Sequence, residues 1–346
     1  MSTPPSSAAR PTLRLVGLAM IVVVALGLGS VLLLWPGTRM TMADAQVKAN
    51  PSKIDGDRAY GYLKAICKIG PRPAGTAANT KQRQMVAEHF KKYGATVKEQ
   101  PFSGVDPVAN TPVAMVNLIG SWFPERTERV VIGAHYDTRP FPDEDPIFAN
   151  RKLPFIGAND GASGVALLME IAHHLQDSPT PWGVDLVLFD GEELVYGGGQ
   201  NQTGDYFLGS KAFAENYKKV QKGTSNEPKF TYYAGMVLDM VGDKDLDILK
   251  EPNSINFAPW LVKEVWAVAK SINATKFRDK RGREIYDDHL PLNNADIPTI
   301  DIIDFDYPYW HTAKDLPEHC SGASLAQVGK VVTAWLNKPK PKPEPK

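Results

Sequence analysis

Acidic residues and histidines recur in this sequence at the ends of short apolar runs. One alone would be unremarkable, because a carboxylate after a strand is usually a helix cap and a lone histidine is more often structural. Six such motifs in one chain instead indicate one reactive site. They are His135-Tyr-Asp137, Asp160 in GANDGASG, Asp190-Gly-Glu192-Glu193, Asp239 in LDMVG, Asp287-Asp288-His289 and Trp310-His311. Three further histidines, His173, His174 and His319, are interpreted as structural.

Zinc binding would explain why acidic residues and histidines occur together in these motifs. Catalytic zinc takes histidine nitrogen and carboxylate oxygen, usually three protein ligands with a fourth position open. Asp160, Glu193 and His311 could fill the three positions. Glu192 precedes a ligand, and neighbouring side chains of an extended segment point to different sides, so Glu192 is free to move protons. Calcium would need more oxygen ligands and little imidazole.

The elements that must position these residues follow from the apolar pattern. VVIGAHYD, VDLVLFD, YYAGMVLDM and TIDIIDF are typical of strands buried on both faces, and 96–102 and 113–122 also read as strands. Helical spacing marks 55–68, 77–93, 162–175, 205–218, 258–271 and 324–336. The alternation predicts one α/β domain over 53–337, with a mixed, mostly parallel central sheet flanked by helices. Functional groups then gather at the carboxyl ends of its strands.

The N-terminal part predicts a membrane anchor. Residues 15–35 carry no charge and, at about 1.5 Å per residue, would span roughly a bilayer core. Arg10 and Arg14 precede this run, which keeps 1–14 in the cytoplasm and places the rest on the extracytoplasmic side of a single-pass protein. A cleaved signal peptide is the alternative, but its apolar region is usually shorter. Residues 36–52 are expected to be a linker, and the Pro/Lys-rich tail 338–346 to be disordered.

Composition excludes one class of partner and leaves one question open. Lys plus Arg and Asp plus Glu both number 39, so no overall positive field would gather nucleic acid. The two cysteines, Cys67 and Cys320, could form a disulfide or remain as two buried thiols.

Taken in order, the motifs HYD, GANDG, DGEE, LDMVG, DDHLP and WHT resemble those of the co-catalytic zinc aminopeptidases and their relatives, the glutaminyl cyclases. The resemblance covers nearly the whole region after the linker. It implies that Asp160, Glu193 and His311 bind zinc and that Glu192 is the general acid/base. It also implies a possible second metal at His135 and Asp239, with Asp160 as the bridge and Asp137 orienting His135. One zinc is expected if the chain is a cyclase, and two are possible.

Three features of the resemblance favour a cyclase over a peptidase. They are Trp310 before the ligand histidine, the paired Asp287 and Asp288, and the insertion after Glu193. The chain departs from the animal cyclases in lacking a Trp soon after the paired glutamates, where Tyr196 is the only aromatic between 194 and 200.

The resemblance therefore implies a glutaminyl-peptide cyclotransferase that acts on the N-termini of peptides or proteins. A zinc aminopeptidase is the main alternative, and a non-catalytic domain is a third. Asp239 and Asp287 are expected to assist Glu192 in catalysis, whereas Trp310, Asp288 and Tyr196 are expected to contact the substrate.

Overall fold

The computed structural model describes residues 53–196 and 203–341. The expected anchor at 15–35, its flanking segments 1–14 and 36–52, and the end of the tail at 342–346 lie outside the described residues. Within the described ranges, none of the helices combines the length and the apolar character needed to cross a bilayer.

Helices and strands alternate along the described chain. The helices are α1 Gly56–Cys67, α2 Ala77–Lys92, α3 Ser163–Leu175, α4 Leu208–Gln221, α5 Pro252–Phe257, α6 Pro259–Ser271, α7 His289–Asn293 and α8 Gly322–Leu336. The strands are β1 Thr96–Val105, β2 Pro112–Trp122, β3 Glu128–His135, β4 Gly183–Phe189, β5 Val195–Tyr196, β6 Thr203–Gly204, β7 Thr231–Asp239, β8 Ile248–Lys250, β9 Phe277–Arg281 and β10 Thr299–Ile303.

Six of these strands form the central sheet, in the order β1-β2-β4-β3-β7-β10. Strands β4, β3, β7 and β10 are mutually parallel. Strand β2 pairs with β4 in the antiparallel sense, and β1 pairs with β2 in the antiparallel sense. The prediction of a mixed, mostly parallel sheet flanked by helices is therefore confirmed. Because they run in the same direction, β4, β3, β7 and β10 all end on the same side of the sheet.

Both faces of the sheet are buried, which explains the unbroken apolar runs. Along β3, Val130 and Ile132 belong to a core shared with α1, α2, α3, α6 and α8, whereas Val131 belongs to a core shared with α4 and α7. Successive side chains of a strand point to opposite faces, so each residue of β3 meets one helical layer or the other.

Helix α3 lies against the sheet through a glycine. A Cβ added at Gly164 would come within 2.2 Å of the Leu238 carbonyl oxygen on β7 and 2.8 Å of the Ala134 Cβ on β3. Only a residue without a side chain allows this approach. The first turn of α3, and the Asp160 turn before it, are thereby held at the carboxyl ends of two central strands.

One point that the sequence left open is answered by the structure. Cys67 and Cys320 are both free thiols and both buried. The first residues of the tail expected to be disordered lie on the domain: Lys338 pairs with Glu264, and Lys340 pairs with Glu128. The lysine charges find partners on the domain surface, which a pattern of prolines and lysines alone does not reveal.

Candidate metal centre and active site

Three predicted ligands meet beyond the carboxyl ends of the parallel strands. Asp160 lies in the turn before α3, Glu193 follows β4, and His311 follows β10. The Nε2 atom of His311 is 2.9 Å from Glu193 Oε1 and 3.2 Å from Asp160 Oδ2. All three side chains are buried, and their potential ligand atoms lie within 4.8 Å of one another.

A second group of the same kind shares Asp160. The Nε2 atom of His135, at the end of β3, is 3.2 Å from Asp160 Oδ1 and 3.1 Å from Asp239 Oδ1, at the end of β7. Asp160 therefore turns one carboxylate oxygen to each histidine. This arrangement could hold one metal ion or a bridged pair.

The residues fit zinc. One imidazole and two carboxylates is a zinc donor set, and zinc bonds of about 2.0–2.2 Å place ligand atoms roughly 3 Å apart. Among the described residues, Asp160 Oδ2 is a buried atom that accepts no hydrogen bond. Burial alone would lower the pKa of His311, but the negative charges of Glu193 and Asp160 raise it to about 9. The same two negative charges would also attract a metal cation.

Buried carboxylates fix the backbone of both acidic turns. Asp137 accepts hydrogen bonds from the Glu192 and Glu193 amides, at 3.1 and 3.0 Å. Asp315 accepts from the Asn159 and Asp160 amides, at 2.8 and 3.1 Å. The resemblance had assigned Asp137 to orienting His135, but its Oδ1 is 3.8 Å from His135 Nδ1, longer than a hydrogen bond.

Asp315 was missed by sequence reasoning. It lies four residues after His311 in a loop, where a lone aspartate looks like surface. Its side chain is fully buried in the structure.

A cavity of about 590 Å³ opens onto this centre. Its lining includes Asp160, Glu193 and His311 together with Glu192, Asp239 and Asp287. Trp310 forms part of the wall. The centroid of its ring lies 3.8 Å from the centroid of the His311 ring and 5.0 Å from that of the Phe305 ring. The predicted catalytic residues, the three predicted zinc ligands and one predicted substrate contact thus share one cavity with an aromatic side, whereas His135 does not line it.

Glu192 lies beside the metal ligands without belonging to either ligand group. Burial, and after it the negative charge of Glu193, raise the pKa of Glu192 well above its usual value. Its nearest described cationic partner, His135, has Nδ1 3.9 Å from Glu192 Oε2. A carboxyl group in such surroundings holds a proton more readily than an exposed glutamate does, which is what a general acid/base requires.

Two residues expected to contact substrate do not line this cavity. The Asp288 side chain is fully buried and accepts a hydrogen bond from the Ser210 hydroxyl at 2.5 Å. The Tyr196 hydroxyl donates to Asp106 at 3.0 Å. The aromatic wall on this side comes instead from Tyr206 and Phe207, which follow the β5–β6 hairpin.

Three residues at the site have a left-handed backbone. Phe207, Met240 and the ligand His311 have φ angles of 62°, 46° and 51°. Residues other than glycine adopt this conformation at a cost of about 1–3 kcal/mol, so the surrounding structure must hold them there.

Comparison with known proteins settles the family. The model of peptidase family M28 matches residues 117–336, more than half of the 346-residue chain. The chain belongs to peptidase family M28. The match spans Asp160, Glu192, Glu193 and His311, and thus the first ligand group together with its neighbouring glutamate.

The proteins similar to this chain carry two kinds of name. A solved structure named glutaminyl cyclase, from Fimbriiglobus ruber, is 39% identical, with a TM-score of 0.78 over 83% of this chain and 96% of that one. One named leucine aminopeptidase precursor, from Bacteroides thetaiotaomicron, is 35% identical, with a TM-score of 0.77 over 84% and 99%. A mouse glutaminyl-peptide cyclotransferase-like protein is 21% identical, covering 86% of this chain and 79% of its own length.

Proposed function

We propose that this chain is a zinc-dependent glutaminyl-peptide cyclotransferase, which converts the N-terminal glutamine of a peptide into pyroglutamate and releases ammonia. The observation that carries the proposal is that Glu192, the Asp160–Glu193–His311 group and Trp310 share one cavity. The 39% identity to a solved glutaminyl cyclase supports it.

In the proposed reaction, the α-amino nitrogen bonds to the side-chain carbonyl carbon of the same glutamine. The bond from that carbon to the amide nitrogen breaks, and ammonia leaves. Zinc, when bound by Asp160, Glu193 and His311, would supply a Lewis acid for the carboxamide oxygen. Glu192 takes the proton from the attacking amine and returns it to the leaving nitrogen, so no net proton and no water is consumed. The Trp310 ring offers an apolar surface to the methylene groups of the glutamine.

Asp239 and Asp287 assist by holding protons close to Glu192. Burial raises the pKa of Asp239 to about 7, and burial also raises the pKa of Asp287. Neighbouring buried carboxyl groups do not all ionise together near neutral pH. These two groups therefore hold a proton more readily than an exposed aspartate does.

A zinc aminopeptidase is the second candidate, and the intact group of His135, Asp160 and Asp239 favours it because this group could hold a second ion. The relative named leucine aminopeptidase precursor supports the same reading. In that reaction Glu192 would deprotonate a water molecule, and a peptide bond would break.

One experiment separates the two candidates. The zinc-loaded protein is incubated with matched peptides that begin with glutamine or leucine, and ammonia, pyroglutamyl product and free amino acid are measured. A cyclotransferase releases ammonia from the glutamine peptide and leaves the leucine peptide intact. Release of free leucine, with two zinc ions per chain by mass spectrometry, would replace the proposal with the peptidase.

We also propose that residues 15–35 anchor the protein in a membrane, with the catalytic domain on the extracytoplasmic side. The uncharged run and the preceding Arg10 and Arg14 support this placement.

A further inference from the structure

A buried arginine contacts a metal ligand. Arg139 lies in the loop after β3, and its side chain is only 1% exposed. Its Nη1 atom donates to Glu193 Oε2 at 2.7 Å and to the Tyr206 hydroxyl oxygen at 3.2 Å. One guanidinium nitrogen therefore joins a predicted zinc ligand to an aromatic residue that lines the cavity.

The other side of the guanidinium is held by Asp143. Arg139 Nε donates to Asp143 Oδ1 at 3.0 Å, and Nη2 donates to Oδ2 at 2.9 Å, which is a two-point contact. Asp143 Oδ1 also lies 3.7 Å from His311 Nδ1. The pair thus lies behind two members of the same ligand group, Glu193 and His311.

We propose that Arg139 is a positioning residue that makes Glu193 a one-oxygen ligand and fixes Tyr206 as a wall of the substrate cavity. Because Oε2 of Glu193 is occupied by the guanidinium, Oε1 is the oxygen left for the metal, and it is the one that lies 2.9 Å from His311 Nε2. An arginine side chain does not lose its proton, so this constraint holds at every working pH.

The energetics support a functional reason for the pair. Burying an ion pair costs desolvation that its mutual attraction only partly offsets, so stability alone is weak grounds for keeping one. The positive charge of Arg139 repels a metal ion bound by Glu193. Arg139 can therefore favour metal binding only by ordering the Glu193 side chain. Arg139 orders Glu193 with one nitrogen of a planar guanidinium whose other two nitrogens are held by Asp143, and a flexible lysine ammonium cannot reproduce this arrangement.

The Tyr206 contact extends the same constraint to the substrate, and this half rests on the proposed function. The backbone around Tyr206 is tied to the glutamate turn, because the Phe207 amide donates to the Glu192 carbonyl at 3.4 Å and the Leu208 amide donates to Gly191 at 3.2 Å. Arg139 adds a side-chain tie from the same wall to Glu193. Zinc coordination and the aromatic wall are therefore set by one residue.

Three variants test this role. Arg139→Lys keeps the charge and removes the fork, Tyr206→Phe keeps the ring and removes the hydroxyl, and Arg129→Lys is the matched control. Arg129 is a buried arginine paired with Asp185 at 2.6 Å at the start of β3, the end of the strand away from the site. The zinc dissociation constant is measured by chelator competition without substrate, and KM and kcat are measured with zinc saturating on the N-terminal substrate that the wild type turns over.

Arg139→Lys should weaken zinc binding by about 10–100-fold, the usual effect of removing an outer partner of a ligand, and should raise KM. Tyr206→Phe should raise KM by several-fold and leave zinc binding within about twofold of wild type. Arg129→Lys should change neither, although its melting temperature falls.

Zinc binding as tight as wild type in Arg139→Lys, or an equal loss in Arg129→Lys, would overturn the role at Glu193. An unchanged KM in Tyr206→Phe would overturn the role at the wall. If the wild type releases no ammonia from glutamine peptides, the proposed function fails, yet the zinc measurements still decide the Arg139–Glu193 contact.

Discussion

Glu192 and Glu193 are chemically identical neighbours in opposite surroundings. Burial would raise the pKa of Glu193, but the charges of Arg139 and His311 lower it to about 2. The cation recorded beside Glu192 is His135, at 3.9 Å, and burial together with the charge of Glu193 still raises the pKa of Glu192 well above the usual value. Environments that separate two carboxyl groups in this way assign one to hold a cation and the other to move a proton.

The same conservative change should therefore have two different effects. Glu192→Gln should reduce turnover by about 10²–10⁴-fold while zinc stays bound, because a general acid/base is lost and no ligand is touched. Glu193→Gln should lose zinc affinity, because a neutral amide is a weaker ligand. Zinc per chain by mass spectrometry, alongside ammonia release, distinguishes the two.

A reversed result, with zinc lost from Glu192→Gln and kept by Glu193→Gln, would exchange the two roles. If both variants kept zinc and activity, the chemistry would have to lie elsewhere in the protein.

Sequence reasoning found the polar centre of the site more readily than its walls. Asp160, Glu192, Glu193 and His311 are recognisable because acids and histidines at several strand ends must converge in a parallel sheet. Tyr206 was not recognised, because no local pattern predicts the short strands β5 and β6 that precede it. Tyr196 was predicted to contact the substrate instead. Arg139 was also missed, since a single arginine in a loop is normally solvated.

Helix α3 offers a test at the scale of an element. Gly164→Ala should destabilise the protein by about 1–3 kcal/mol, because the new methyl group would meet a backbone oxygen that has no rotamer with which to move away. Zinc affinity should fall too, since the displaced turn carries Asp160. Denaturant unfolding and chelator competition measure the two effects.

Gly61→Ala in α1 is the matched control for that change. A Cβ at Gly61 has no neighbour within 4 Å among the described residues, and alanine is favoured over glycine in a helix by about 0.5–1 kcal/mol. This variant should be as stable as wild type or slightly more so. Equal destabilisation of both variants would show that close packing at Gly164 is not the cause.

Helix α5 provides a pH test. Its first turn is capped by Glu251, whose carboxylate accepts from the Asn253 and Ser254 amides at 2.8 and 2.5 Å and from the Ile285 amide at 3.1 Å. Burial would raise the pKa of Glu251, but His289, whose Nε2 lies 3.4 Å from Oε2, and the hydrogen bonds from the backbone lower it to about 2. The bond to Ile285 ties this cap to the segment that carries Asp287.

The pKa of Glu251 in the folded protein is below the ordinary 4.5, so the charged carboxylate stabilises the fold. This stabilisation is complete above about pH 4.5 and is lost progressively as the pH falls towards 2. Glu251→Gln should therefore cost about 1–3 kcal/mol at pH 7, with a difference from wild type that shrinks below about pH 4.5. Urea unfolding across this range measures it. The exposed Glu215→Gln should stay within about 0.5 kcal/mol throughout, and a pH-independent loss in Glu251→Gln would contradict the charge argument.

Among the elements, the sequence predicted the long strands well and the short ones poorly. The buried strands β3, β4, β7 and β10 are apolar along most of their length. The two-residue strands β5 and β6 carry none. Helix α4 was predicted from residue 205 but begins at Leu208, because Phe207 has a left-handed backbone that the helical spacing of its neighbours does not reveal.

At the scale of the whole molecule, removing the expected anchor should leave the catalytic domain folded and active. Asp55 caps α1 at the start of the described fold, so a chain that begins at Lys53 retains every described contact of the site. That chain should be soluble and should match the full-length kcat/KM, whereas the full-length protein should resist carbonate extraction from membranes. A mature N-terminus near residue 36, found by sequencing the membrane-free protein, would favour a cleaved signal peptide instead.

The left-handed backbone of Phe207 bears on how this protein would respond to laboratory evolution. Glycine at position 207 would relax the backbone by roughly 1–2 kcal/mol. A selection for heat tolerance alone should therefore accumulate glycine or asparagine at Phe207. Phe207 lines the cavity, so these heat-tolerant clones should turn over substrate slowly. A selection that also demands turnover should leave this position unchanged and find its gains on the far side of the sheet.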